Sequence, residues 1–337
     1  PESSYREGGP EDLTTCDDIY IMPHADPHGW DLATGTTYLN FINNGGYFMA
    51  GCHAVSSLEG LADWDGNGTL DGNFLSTTGL LPWGDHGNSA EPDPLDPNDF
   101  EYLDTAGGDP MMQFLGSIDN ALDGGSEEVY MPALSSAWRG TTTVAVWDPD
   151  NDDVVAGDSP GEAALLAYGH AFGDPDKGFI VYQASHSWQA GDDPANVAAG
   201  RTIGNLVLKA GIDKRPSFSN INIPMPIEGG ATVPMSLDVS GLSATFNYTW
   251  SSTCGGTFSN PSGSVTATCV CNPVTISTYY TAPFFTAPTD CIIRAVITDD
   301  PCGRSNFLAK PLTIIPAGGL AVSKTGPAQA CPGDILT

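Results

Sequence analysis

The chain reads as a multidomain protein in which a layered α/β domain precedes an all-β sandwich. Three observations predict this. Its 337 residues exceed what a single core usually serves. Apolar runs of strand and helix period alternate as far as Lys214, the signature of a layered α/β domain. From Pro216 the texture changes to alternating apolar and Thr/Ser residues punctuated by Gly and Pro, with almost no helical period. The expected boundaries are 1–215 for the first domain, 216–316 for the sandwich, and 317–337 for the start of a further β repeat domain.

Within the first domain, Asp17 to Pro23 (DDIYIMP) is a short apolar run bounded by turn residues. Tyr38, Leu39, Phe41 and Ile42 then recur at helical spacing, and Tyr47 to Gly51 is a second apolar strand. The connection predicts a βαβ unit with parallel strands and a right-handed crossover. Further elements are Met111 to Leu122 (helical), Thr142 to Val146 (strand), Ala163 to His170, Gly178 to Gln183 (strand) and Ala198 to Ala210 (helix). In the second domain, strands are expected at Ser236–Val239, Ala244–Ser251, Ser264–Cys269, Thr278–Ala282, Cys291–Ile297 and Leu312–Ile315, with Trp250 filling the core.

Eleven basic against 41 acidic side chains give a net charge of −30, which argues against nucleic acid and anionic membranes as partners. No stretch approaches the roughly 20 apolar residues of a membrane span. Cys254, Cys269, Cys271, Cys291 and Cys302 crowd one Thr/Ser-rich segment, while Cys16, Cys52 and Cys331 stand apart. Such crowding predicts disulfides and an extracellular or cell-surface location, with connectivity left open. Zinc is the weaker alternative, because Cys269 and Cys271 are separated by one residue and no histidine is near. The loop-like opening and the closing GDILT, broken off inside a strand-like run, suggest the ordered part of a longer exported polypeptide.

The most informative stretch is NNGGYFMAGCHAVSSLEG, residues 43–60: a buried strand that ends at a cysteine and a histidine. Gly51 permits a tight bend presenting Cys52 and His53 at the carboxyl end of the strand, where ligands bind in open α/β sheets. His24 and His186 are expected at the same rim. There Cys52 serves as a nucleophile with His186 as general base, His53 favouring the thiolate and backbone amides of 51–53 as oxyanion donors. His24, His28 and His186 with Asp26 form an alternative transition-metal set.

These motifs, with AFGDPDKGFIVYQASHSW and AGRTIGNLVLKAG later on, resemble the class I glutamine amidotransferase-like superfamily and its ThuA-like branch. The pattern falls on Gly51, His53, Ala54, Lys177, Gly178 and His186. The resemblance implies a flavodoxin-like fold whose first strand and helix precede Pro1. Ala50 and Ala54 stand where catalytic amidotransferases have glycines, and Trp188 where they have an orienting glutamate. The second module resembles immunoglobulin-like surface domains ending in Cys302-Gly303-Arg304, and the closing segment resembles repeat modules of large bacterial surface proteins.

DWDGNGTLD, residues 63–71, matches the first nine positions of a calcium loop: Asp63, Asp65, Asn67, Thr69 and Asp71 supply oxygens, and Gly68 takes the turn. Calcium is therefore the expected cofactor. Trp30, Trp64, Trp83, Trp138 and Trp188 fit a carbohydrate cleft or plain core packing. Two functions follow. The favoured one is a non-catalytic, calcium-binding extracellular surface or matrix protein serving adhesion or assembly of a layer or filament. Its expected partners are copies of itself, other surface proteins or carbohydrate. The alternative is an exported cysteine hydrolase, amidase-like or carbohydrate-related, using Cys52 and His186.

Overall fold

A computed structural model describes residues 9–22, 32–51, 53–60, 67, 72–77, 101–103, 108–112, 136–148, 163–183, 193–267 and 272–318. The chain divides into two compact units, Glu2–Lys214 and Arg215–Thr337.

The first unit is built on one six-stranded sheet. In chain order its elements are β1 (Ile19–Met22), α1 (Leu32–Asn43), β2 (Tyr47–Gly51), α2 (His53–Gly60), β3 (Glu101–Tyr102), β4 (Thr143–Asp148), β5 (Ala163–His170), β6 (Phe179–Gln183) and α3 (Asp193–Asp213). The strand order is β1-β2-β6-β5-β4-β3. β1, β2 and β6 run parallel, with Ile21 opposite Met49 and Ala50 opposite Tyr182. β2 and β6 are buried at every position, as strands covered on both faces must be.

Helix α1 buries Gly35, Tyr38, Phe41 and Ile42, a stripe at helical spacing. It ends in a Schellman motif: Gly45 N–H donates to the Ile42 carbonyl, Gly46 N–H donates to the Phe41 carbonyl, and Gly45 takes φ 86°. A side chain on Gly178 would collide with the Gly46 carbonyl oxygen, so the helix end and the start of β6 meet at backbone contact.

The flavodoxin-like, glutamine amidotransferase-like assignment fails at β5. Ala163 to His170 is a strand, and the chain returns to β6 through a short connection in which Ala171 N–H donates to the Gly178 carbonyl. A return this short can only pair its strands antiparallel. β5, β4 and β3 accordingly continue the sheet antiparallel, and only one half of it is parallel. Fifteen strands stand against three α-helices among the described residues, so the chain is predominantly β. The expected helix at Met111 to Leu122 is a 3-10 turn over Pro110–Met112, beyond which the residues lie outside those described.

The second unit holds β7 (Ser217–Asn222), β8 (Ile227–Glu228), β9 (Thr232–Ser240), β10 (Thr245–Ser252), β11 (Thr257–Phe258), β12 (Ser262–Thr266), β13 (Val274–Thr281), β14 (Thr289–Asp300) and β15 (Ser305–Ile315). They form a five-stranded sheet, β12-β10-β14-β15-β8, and a four-stranded sheet, β11-β13-β9-β7. Both sheets contribute to one core, with Leu237, Val239 and Ile276 from the smaller and Phe246, Trp250, Ile293, Ile297 and Ile314 from the larger. Along β14 the period-two pattern is explicit: Cys291, Ile293, Ala295, Ile297 and Asp299 are buried and alternate with more exposed residues. The buried Asp299 ends that row and is satisfied by Arg304 (Nη1 to Oδ2, 3.1 Å), Arg304 N–H (2.6 Å) and Ser243 Oγ (3.0 Å). Two antiparallel sheets about one core are what its residues specify, and the parallel β15–β8 pair closes the larger one.

Cys254 and Cys291 form a disulfide with Cα atoms 5.5 Å apart. Ser252 is opposite Ile293 in the β10/β14 ladder, so the same register carried two residues further brings the two cysteines face to face. Cys16 and Cys302 are disulfide-bonded as well, which removes zinc as the explanation for the cysteines described.

Candidate functional site

Most of the expected site residues lie outside the described residues: Cys52, His186, His24, His28 and Asp26 at the rim, and Asp63, Asp65, Thr69 and Asp71 in the calcium loop. His53 is placed as the first residue of α2, and Asn67 is exposed. Trp138 belongs to the core of the first unit rather than to a cleft, at 8% exposure. What the structure defines is the ground on which the rim and the loop stand.

The rim is the carboxyl edge of the parallel strands. Phe48 and Tyr20 contact Tyr38 of α1, and Tyr182 meets Glu59 of α2, so both helices cover one face of the sheet. Helix α3 covers the other: Lys209 lies over the Phe179 ring at 4.6 Å, and the Tyr47 hydroxyl donates to Asp213 at 2.7 Å. The adjacent parallel strands β2 and β6 therefore send their chains to opposite faces. Gly51 and its register partner Gln183 mark the strand ends at which the two chains diverge. Gln183 is 1% exposed, and neither end of its amide has a hydrogen-bond partner.

Behind the rim sits a buried carboxylate that the sequence reading passed over. Glu59 accepts hydrogen bonds from Tyr182 Oη (2.6 Å), Leu75 N (2.5 Å) and Ser76 Oγ (3.0 Å), and from the Ser76 amide. Burial pushes its carboxyl up to about 7 against the opposing pull of those donors. The same cause, with the Glu59 charge beside it, holds the Tyr182 phenol well above the usual tyrosine range. A signal was present in the sequence: Ala54, Val55 and Leu58 mark the buried stripe of α2, and Glu59 falls four residues after Val55 on that stripe.

Glu59 and Arg139 together hold the strap of residues 73–77. Arg139 donates to the carbonyls of Asn73 (2.7 Å from Nη2), Phe74 (3.1 Å from Nε) and Phe172 (3.4 Å from Nη1). Glu59 takes the amide hydrogens of the strap, and Thr142 Oγ1 donates to the Leu75 carbonyl. Phe74 packs on Phe172 with ring centroids 5.1 Å apart. Helix α2 and the strap are thus pinned to each other through Glu59. Chemically this is a buried carboxyl held by neutral donors, an arrangement that fixes backbone.

No known family and no curated protein matches the chain. Among solved structures, the complex of zinc α2-glycoprotein with prolactin-inducible protein from human seminal plasma is 14% identical with a TM-score of 0.24, covering 31% of this chain and 98% of that one. The SrpA adhesin of Streptococcus sanguinis, as its R347E mutant, is 13% identical with a TM-score of 0.25, covering 30% of this chain and 57% of that one. The CsuC–CsuE chaperone and tip-adhesion subunit complex of Acinetobacter baumannii is 12% identical with a TM-score of 0.24, covering 30% and 53%. Likenesses of this size carry no argument about function. No family model matches the ThuA-like, immunoglobulin-like or surface-repeat resemblances, and the antiparallel run of β5, β4 and β3 in a predominantly β chain contradicts the glutamine amidotransferase-like fold.

Proposed function

We propose that this chain is a non-catalytic, calcium-binding surface or matrix protein of the extracellular space, serving adhesion or assembly of an extracellular layer or filament. The observation that supports it most is the cross-strand Cys254–Cys291 disulfide, with Cys16 and Cys302 also oxidised. Chains that keep several disulfides work in oxidising compartments. The net charge of −30 favours cations over anionic partners, and no helix among the described residues is long and apolar enough to cross a membrane. Calcium is assigned to Asp63, Asp65, Asn67, Thr69 and Asp71 from their spacing alone.

The full oxidised chain tests both parts. Calcium at about 1 mM, the working range of extracellular modules, is expected to raise the melting temperature relative to chelator. Sedimentation in calcium is expected to show concentration-dependent self-association. A melting temperature indifferent to calcium refutes the cofactor, and a chain that stays monomeric at every concentration refutes assembly.

A further inference from the structure

The larger sheet of the second unit ends on a strand whose outer edge is bare. β12 pairs with β10 alone and stands last in the strand order. Trp250 N–H donates to the Pro261 carbonyl, and Ala267 N–H donates to the Ala244 carbonyl. These bonds bracket the ladder, so antiparallel alternation gives Gly263 and Val265 the remaining bonds to β10 and turns the backbone N–H and C=O groups of Ser262, Ser264 and Thr266 outward. All three residues are exposed, and their outward groups have no partner among the described residues. Open edges recruit further strands, and sheets ordinarily blunt them. The other edge strands of this unit are blunted: β8 and β11 are two residues long, and β7 loses register between Ser219 and Asn222, with Asn220 at φ 45°. The part of β15 that β8 leaves uncovered carries Lys310 and Pro311. β12 has five residues in unbroken register, without proline, bulge or charge. It also lies in the one long neutral tract of an acidic chain, since no charged side chain occurs between Asp238 and Asp290.

We infer that β12 is a self-pairing edge, at which two copies of this chain join antiparallel about a two-fold axis through Ser264. In that register Ser264 meets its copy and Ser262 meets Thr266, so every outward group gains a partner, about six backbone hydrogen bonds in all. Two chains of net charge −30 repel each other, and a neutral edge is where they approach at least cost. The side chains that meet are serine and threonine, which offer no pocket to select a foreign strand, whereas an edge is complementary to itself by symmetry. The contact is small, which places the pairing in the weak range of about micromolar to millimolar. The inference deepens the assembly reading and rests on it for the identity of the partner as a second copy.

The test is sedimentation of the full oxidised chain in calcium, from about 1 μM to 1 mM, where a monomer–dimer step is expected. Ser264→Pro removes an outward N–H that the β10 ladder does not use, a change that edge strands accept, and is expected to weaken dimerisation about tenfold or more. Ser264→Asp keeps the backbone intact and sets like charges opposite each other across the axis, with the same expected effect. Circular dichroism and the melting temperature establish that each variant is folded. If a folded variant associates as well as wild type, the β12 pairing is overturned and the assembly reading stands. A wild-type chain that stays monomeric at every concentration overturns both. Dimers that are lost in the variants, with nothing larger formed, support the pairing and refute assembly into a layer or filament.

Discussion

Replacing Glu59 by glutamine isolates the energetics of a buried charge held without a cation. In wild type the carboxyl is fully buried and rises from an ordinary 4.5 to about 7, chiefly by desolvation. At 1.36 kcal/mol per pH unit the difference corresponds to about 3 kcal/mol. The folded value lies above the unfolded one, so the contribution is favourable below pH 4.5 and is lost as pH rises through 7. Wild type thus pays the cost of the buried anion at pH 8 and not at pH 4.5. Glutamine at this position still accepts from Tyr182 and Leu75 and donates to Ser76 Oγ, but leaves the Ser76 amide without its acceptor. It is expected to be the less stable variant at low pH, by about 1 kcal/mol. Between pH 4.5 and 8 the balance should move in its favour by about 3 kcal/mol. Amide hydrogen exchange at Leu75 and Ser76, followed across that range, reports the first unit alone and separates it from unfolding of the second. Parallel pH profiles for the two proteins would refute the reasoning, since they would mean that Glu59 does not titrate in the folded state.

The second unit should depend on its covalent staple: the disulfide joins residues 37 apart, and loop closure contributes about 4 kcal/mol, so Cys254→Ser with Cys291→Ser should lower the unfolding free energy of this unit by that amount, read from the fall in its denaturant midpoint multiplied by the slope m. Arg304→Ala leaves Asp299 buried beside Ser243 without its cation and should cost about 3 to 5 kcal/mol, while the paired change to Asp299→Asn should recover part of it in a double-mutant cycle.

Elements whose pattern is set by one neighbour at a time were legible in the sequence. Tyr47–Gly51 and Phe179–Gln183 read as buried strands because continuous apolar runs between glycine-rich turns leave little else to form. The stripe Tyr38, Phe41 and Ile42 gave α1, although the structure starts it at Leu32, well ahead of that stripe. Direction was not legible. Whether β5 joins β6 as a hairpin or through a crossover is decided by the eight residues from Ala171 to Gly178, where Phe172 takes φ 60° and Gly173 φ 71°. Positive φ at a phenylalanine is uncommon and leaves no mark in composition. Here the Phe172 ring is held by Phe74 and the Arg139 guanidinium, both far away in the chain. The site divided along the same line. Gly51 and His53 were found because they adjoin a strand end. Glu59 was missed as one acid among 41, although its phase on α2 turned it inward.

The double clamp on residues 73–77 has a consequence for how this molecule can change. Arg139 grips carbonyl oxygens, and Glu59 grips amide hydrogens, features that nearly every amino acid presents alike. At Asn73 and Leu75 the anchorage therefore reads backbone rather than side chains, while the anchors tolerate little change: lysine lacks the fork that spans two carbonyls, aspartate is one methylene too short, and glutamine, with the shape of glutamate, keeps most of its contacts. A change of side chain at the half-buried Asn73 therefore leaves the Arg139 grip on its carbonyl in place.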